Sequence, residues 1–360
     1  MASWPKYSWH FISATSILVL PLIAMSLEIA KDDPSITPSE IMPKAQFSLL
    51  LDIAKTDTGF VAVGERGNIV TSNDGMTWVQ SKTPTRSTMT TVSAQGAKIW
   101  AAGHDGVILH SADSGKTWKS QRVMPWSSES KEVTNGSAIL DTLFLDENTG
   151  YAVGSYSLLL KTIDGGATWQ AISASGSQDS NVPSEMVATS SGVFDENDLA
   201  IAAEDDPHLN AITRTESGAI IVMGERGTGI RSVDEGASWQ KIRLPYGGSM
   251  FGVISLGGEK ILAFGLRGNI FESADAGSNW TKIPGGTDIS LQGGTVSEDG
   301  TVVLVGSNGS LFVRKPNESA FTKRNVQLKT GQGPAFSAII PSSTGYVLTS
   351  DLGNIIYPMK

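Results

Sequence analysis

Carboxylates, hydroxyls and guanidinium groups recur at fixed spacing along this chain. Asp74, Asp113, Asp164, Asp234 and Asp275 each lie two positions after a Ser or Thr, and each is followed closely by an indole, Trp78, Trp118, Trp169, Trp239 or Trp280. A carboxylate beside a hydroxyl can serve a nucleophile or ligate a metal. Arg66, Arg226 and Arg267 sit in short glycine-bounded turns, and an arginine fork grips carboxylates and polar peptide groups in a defined geometry. Repetition decides between chemistry and architecture. A catalytic motif usually occurs once, whereas an architectural one occurs many times. The pattern Ser/Thr-x-Asp/Asn-x-Gly-x-Thr/Ser/Asn-Trp has five good copies, TSNDGMTW, SADSGKTW, TIDGGATW, SVDEGASW and SADAGSNW, and a worn one ending at Phe321. Five equivalent active sites are hard to justify. The aspartates are therefore read as turn-builders that accept hydrogen bonds from turn amides, and the tryptophans as apolar wedges.

Those turns need strands to position them. Upstream of each Trp motif runs a short apolar strand, a G-x-x-G-like turn and a second strand. FVAVGERGNIV, IWAAGHDGVIL and LAFGLRGNIF are examples among seven copies. Glycine accepts the positive φ that such hairpins demand. A further strand candidate precedes each hairpin, and another follows each Trp. Four antiparallel strands per unit of about 40 residues predict a β-propeller. The fold class is all-β, a single seven-bladed propeller with four-stranded blades. A leftover stretch near residues 37–46 is expected to add the missing outer strand of the last blade and close the ring.

The organisation follows. Residues 1–30 contain FISATSILVLPLIAMSL, which carries no charge and reads as a signal peptide or N-terminal membrane anchor. Residues 31–40, polar and proline-bearing, read as a linker. Residues 41–360 form the propeller. Export is expected, to a periplasmic or membrane-associated place. The chain has 360 residues, a net charge of -9 and no cysteine. That balance disfavours nucleic acid as a partner. Lack of cysteine rules out disulfides, thiolate zinc sites, a cysteine nucleophile and a lipidated cysteine. No P-loop, dinucleotide fingerprint, nucleophile elbow or zinc spacing occurs, and no cofactor or metal is expected.

The repeated motif resembles that of the Asp-box, or bacterial neuraminidase repeat, propellers. With seven GxxG-like hairpins in one domain, the chain is most similar to the photosystem II stability/assembly-factor propellers across roughly residues 40–360. The resemblance implies a non-catalytic, cofactor-free scaffold. It also implies an arginine-bearing surface that engages a membrane-protein client, with Arg66, Arg226 and Arg267 as its counterpart. Lumenal placement and a photosystem-subunit client follow if the cell is photosynthetic, and a membrane transporter is the candidate client if it is not. His104 and Tyr156 occupy the matching turns of blades two and three and join the candidate surface. The competing reading pairs each arginine with its neighbour, Glu65 or Glu225.

Spacing between Trp118 and Trp169, and between Trp169 and Trp239, exceeds that of the regular repeat, so two insertions enter the same face. Long loops on a rigid scaffold commonly carry binding. Trp126 lies in the first insertion and is an interface candidate. The second holds Asp195, Glu196, Asp198, Glu204, Asp205 and Asp206, which could bind calcium but lack the spacing of an EF-hand loop. The alternatives are a carbohydrate- or ligand-binding propeller and, less favoured, a sialidase-like glycosidase. A glycosidase of that type needs an Arg-Ile-Pro motif and a tyrosine nucleophile. Only the near match KIRLP (241–245) occurs, after a Trp motif, and the chain has six tyrosines. A monomer that binds a membrane or envelope protein is the expected form.

Overall fold

The computed structural model describes residues 32–125, 136–173, 206–329 and 331–358. Those residues form seven antiparallel sheets, each built from strands consecutive in sequence. Blade one runs outward as Leu50–Thr56, Gly59–Gly64, Ile69–Ser72 and Val79–Ser81. Blades two to six repeat this order over residues 89–122, 139–171, 209–243, 250–283 and 291–325. Blade seven has three strands, from Phe336–Ser342 to Ile355–Pro358.

Burial explains the strand sequences. The second strand of each blade is covered on both faces by neighbouring blades, so it reads as an unbroken apolar run. FVAV of blade one and VVLVG of blade six are buried throughout. The outer strands are polar and exposed, as in Thr322–Asn325. The apolar side chains collect into seven clusters, each joining two adjacent blades. Each indole of the repeated motif packs toward the preceding blade. Trp118 of blade two sits with Val61 and Ile69 of blade one, and Trp239 of blade four with Tyr151 and Leu159 of blade three.

A β-bulge recurs near the start of the inner strands. The bulged residues, among them Leu51, Thr90, Asn210 and Ser337, line a cavity of about 250 Å³ that draws on the inner strand of every blade. Polar side chains there stitch blade to blade. Thr90 Oγ1 donates to Ile139 O of blade three, Asn210 Nδ2 to Met250 O of blade five, and Ser337 Oγ of blade seven to Leu50 O of blade one. Asp52 accepts from Val92 N of blade two and Asp141 from Ile212 N of blade four, both at 2.8 Å.

Ring closure differs from the sequence expectation. Among the described residues no fourth strand joins blade seven. Ala45–Phe47 form a 3-10 turn instead, touching blade seven through Asn354 N donating to Gln46 O. The reason lies in where residues 34–42 are held. Pro34 O accepts from Arg86 N, Ser39 and Thr83 bond to each other, and Met42 N donates to the Gln80 side chain. This stretch is tied along blade one and is not available to pair with blade seven. Closure rests on the Ser337–Leu50 bond and on Val347 packed into the blade-one cluster.

Candidate functional site: the turn rim

Each hairpin between second and third strands ends on one rim of the ring. In blade one the turn is Gly64-Glu65-Arg66-Gly67. A Cβ on Gly64 would lie 2.0 Å from Leu49 O, and one on Gly67 2.1 Å from Thr85 O. The glycines let the turn press against the chain entering its own blade and the chain leaving it. The residue between them is forced into left-handed backbone. Arg66 (φ 56), Asp105 (φ 57), Tyr156 (φ 56), Arg226 (φ 55), Arg267 (φ 55) and Asn308 (φ 57) all adopt it. Left-handed backbone disfavours residues with a Cβ, Asn and Asp least. Blades two and six place Asp and Asn there, whereas blades one, four and five hold an exposed arginine.

The acids next to Arg66 and Arg226 in these turns both hold backbone amides. Glu65 Oε1 accepts from Leu49 N at 3.1 Å, and Glu225 Oε2 from His208 N at 3.2 Å. Both carboxylates are turned to backbone of their own blades, and Glu225 Oε1 also lies 3.9 Å from His208 Nδ1. No described residue forms an ion pair or side-chain hydrogen bond with the guanidinium of Arg66 or Arg267.

The structure groups the sequence candidates unevenly. Tyr156 and Arg226 line one cavity of about 680 Å³ between blades three and four. Tyr156 is 42% exposed and meets His208 edge-on at 5.4 Å. Arg267 belongs to the next blade and is not part of that lining. Arg66 lines a separate cavity beside blade one. His104 is exposed but stands one residue before the left-handed position, which Asp105 occupies with Ser87 Oγ donating to it at 2.6 Å. The arginine counterpart in blade two is therefore acidic. Trp126 and acidic residues 195–205 lie outside the described residues, while Asp206 lines the cavity between blades three and four.

Sequence reading missed Lys241 and Arg243. Both are exposed and line the same cavity as Arg226, with Ile242 between them buried. The signal was present as strand alternation, which puts the first and third residues of KIR on one face. Among the described residues no group of three or more His, Asp or Glu could hold a metal ion.

The opposite rim carries the Asp turns. Asp113 accepts from Thr117 N, Thr117 Oγ1 and Ser111 Oγ at 2.9, 2.6 and 2.8 Å. Asp74, Asp164, Asp234 and Asp275 make the corresponding bonds within their own turns. These hydrogen bonds hold the Asp74, Asp113, Asp234 and Asp275 carboxyls down to about 2. Trp78, Trp118 and Trp280 donate their indole N–H to the glycine carbonyl of the same turn. A carboxylate so engaged has little basicity left for proton transfer.

A family model described as Photosynthesis system II assembly factor YCF48 matches residues 39–127, 119–192 and 186–329. The Photosystem II assembly lipoprotein Ycf48 of Prochlorococcus marinus is 38% identical over 65 residues, 18% of this chain and 17% of that protein. The match thus spans about a sixth of the relative's length. A solved YCF48 bound to D1 peptide aligns over 91% of this chain and 96% of its own, with a TM-score of 0.59 and 16% identity. YCF48 from Cyanidioschyzon merolae aligns over 87% and 95%, with a TM-score of 0.60 and 18% identity.

Proposed function

The chain belongs to the photosystem II assembly-factor family typified by Ycf48, and from that premise we propose that it is an exported, non-catalytic scaffold whose turn rim docks a segment of a membrane-protein client. The observation that carries the proposal is the use of bulky cations at left-handed turn positions. Arg66 and Arg267 stand exposed there, and Glu65 beside Arg66 is committed to backbone. Strained positions of this kind cluster at functional sites. The rigid ring fixes the spacing of the arginines, so the client meets a preorganised surface and the side chains lose little freedom on binding.

Arg226, Tyr156, Lys241 and Arg243 form the most concentrated part of the rim. Guanidinium forks and an aromatic edge suit an extended polypeptide bearing carboxylates. The D1 peptide bound by the solved relative supports a polypeptide client. Export relies on the apolar stretch 11–27, which serves as signal or anchor. The 360 residues hold no cysteine, whereas the Prochlorococcus relative is named a lipoprotein. Among the described residues no helix is long and apolar enough to cross a membrane.

The test is a tagged pull-down from gently solubilised membranes. The parent is compared with a variant carrying Arg66→Glu, Arg226→Glu and Arg267→Glu. Recovery of a membrane protein by the parent and its loss from the variant is the expected outcome. Equal recovery by both would remove the rim arginines from the interface.

A further inference from the structure

A second concavity lies where residues 40–48 cross the edge of blade one. Its volume is about 250 Å³. Met42, Ala45 and Phe47 supply an apolar lining. Met42 is 46% exposed and Phe47 59%, large values for such side chains in a water-soluble fold. Lys44, Arg66 and Arg86 supply three cations around it. Glu40 and Glu65 also border it, but Glu65 is spent on Leu49 N. The Arg86 guanidinium gives one N–H to Asp32 O, and its remaining guanidinium donors have no hydrogen bond among the described residues.

The wall contains an unmet acceptor as well. Asn68 is 5% exposed and lines the cavity. Its Nδ2 donates to Ala45 O and Ser48 Oγ, both at 2.7 Å, which holds the N-terminal stretch in place. Its Oδ1 is buried with no partner. A buried acceptor without a donor is costly, and such sites call for explanation.

From this arrangement we infer that the cavity is a peptide-docking pocket that takes an apolar side chain together with a carboxylate one or two residues away on the same strand-like segment. The apolar side chain sits against Met42 and Phe47. The carboxylate meets the Arg66 fork, with Arg86 and Lys44 adding attraction. Neither half suffices alone. A purely acidic segment would leave Met42 and Phe47 in water, and a purely apolar one would leave three cations unmatched. The inference deepens the client-binding reading and rests on it for one point, that the occupant is a polypeptide.

The experiment uses the full chain with methionine methyls labelled with ¹³C, so that Met42 reports from the pocket. The probes are ten-residue peptides built on a Gly/Ser background. One carries Leu-Ser-Glu at its centre, and the others replace Leu by Ser or Glu by Gln. We expect the parent peptide to shift the Met42 methyl and each altered peptide to bind at least tenfold more weakly. Arg66→Gln and Phe47→Ala should each weaken the parent peptide similarly, without changing the far-ultraviolet spectrum of the protein. Binding that ignores the glutamate or the leucine would overturn the inference. So would a Met42 shift produced by anionic-lipid vesicles but by no peptide, which would make the pocket a membrane contact. Client capture that survives Arg66→Gln and Phe47→Ala but fails on Arg226→Glu would refute the pocket and leave the docking rim standing. Loss of client capture in none of these variants would count against the rim itself.

Discussion

Replacing Arg66 and Arg267 by asparagine, singly and together, separates display from folding. Both residues hold left-handed backbone, at φ 56, ψ 34 and φ 55, ψ 36. Such backbone costs a residue with a Cβ roughly 1–2 kcal/mol, and asparagine escapes much of it by bonding locally. Asn308 already occupies the same place in blade six, at φ 57, so the turn accepts that side chain without rearrangement. Neither guanidinium makes a hydrogen bond or ion pair with a described residue, so little is lost on removal. Each substitution should stabilise the fold by about 0.5–1 kcal/mol, the part of that cost that asparagine relieves. Blades one and five share no contact at these turns, so the double variant should gain about 1–2 kcal/mol. Urea unfolding followed by tryptophan fluorescence reads this as a higher midpoint at unchanged slope. Client capture should fall at the same time. A variant that is destabilised by about 1 kcal/mol or more per site would show that the arginines brace the fold, and the display argument would fail.

Two further outcomes test the ring. Burial pushes the Asp52 carboxyl up to about 7, helped by the nearby Asp141 charge, and burial pushes Asp141 up to about 6. Both values exceed the ordinary 3.8, so the folded state binds more protons than the unfolded chain between about pH 4 and 7. Stability from these two groups therefore falls as pH rises through that window. His110, held below its usual value by burial, opposes the trend, so the informative quantity is the difference between parent and Asp52→Asn. That variant should show a flatter profile from pH 4 to 7, and an unchanged slope would refute the assignment. Below pH 4 the sign reverses, because the Asp turns lose carboxylates held near 2. Ser337→Ala removes the bond that joins blade seven to blade one, and should cost about 1 kcal/mol. Hydrogen exchange should then quicken first in the inner strands of those two blades, and uniform quickening around the ring would contradict the closure described here.

Blade count and blade boundaries were legible because each blade reuses one turn and one apolar run. The ends and the axis were not. The residue that meets the left-handed turn position in blade two is Asp105, one place after His104, whose ring and potential charge draw the eye in the sequence. Nothing local to Thr90, Asn210 or Ser337 announces a bulge. Its position depends on pairing with the next strand, and each side chain's partner lies in the next blade round the ring. Residues 37–46 are expected from the sequence to supply an edge strand, but contacts of Ser39 and Met42 with Thr83 and Gln80 of blade one hold them elsewhere. Lys241 and Arg243 were visible as an alternating pair and gained meaning only when the fold set them beside Arg226.

The central claim is that the client meets the turn rim and not the opposite rim of Asp turns. Blade three offers both ends of one rigid sheet, with Tyr156 exposed on the turn rim and Ile163, 71% exposed, beside the Asp turn. A photo-crosslinking side chain placed at either position, in membranes that contain the client, reads the contact directly. The account expects a crosslinked membrane protein from position 156, and from position 267 in blade five, with none from position 163. A crosslink from position 163 with silence at 156 and 267 would contradict it.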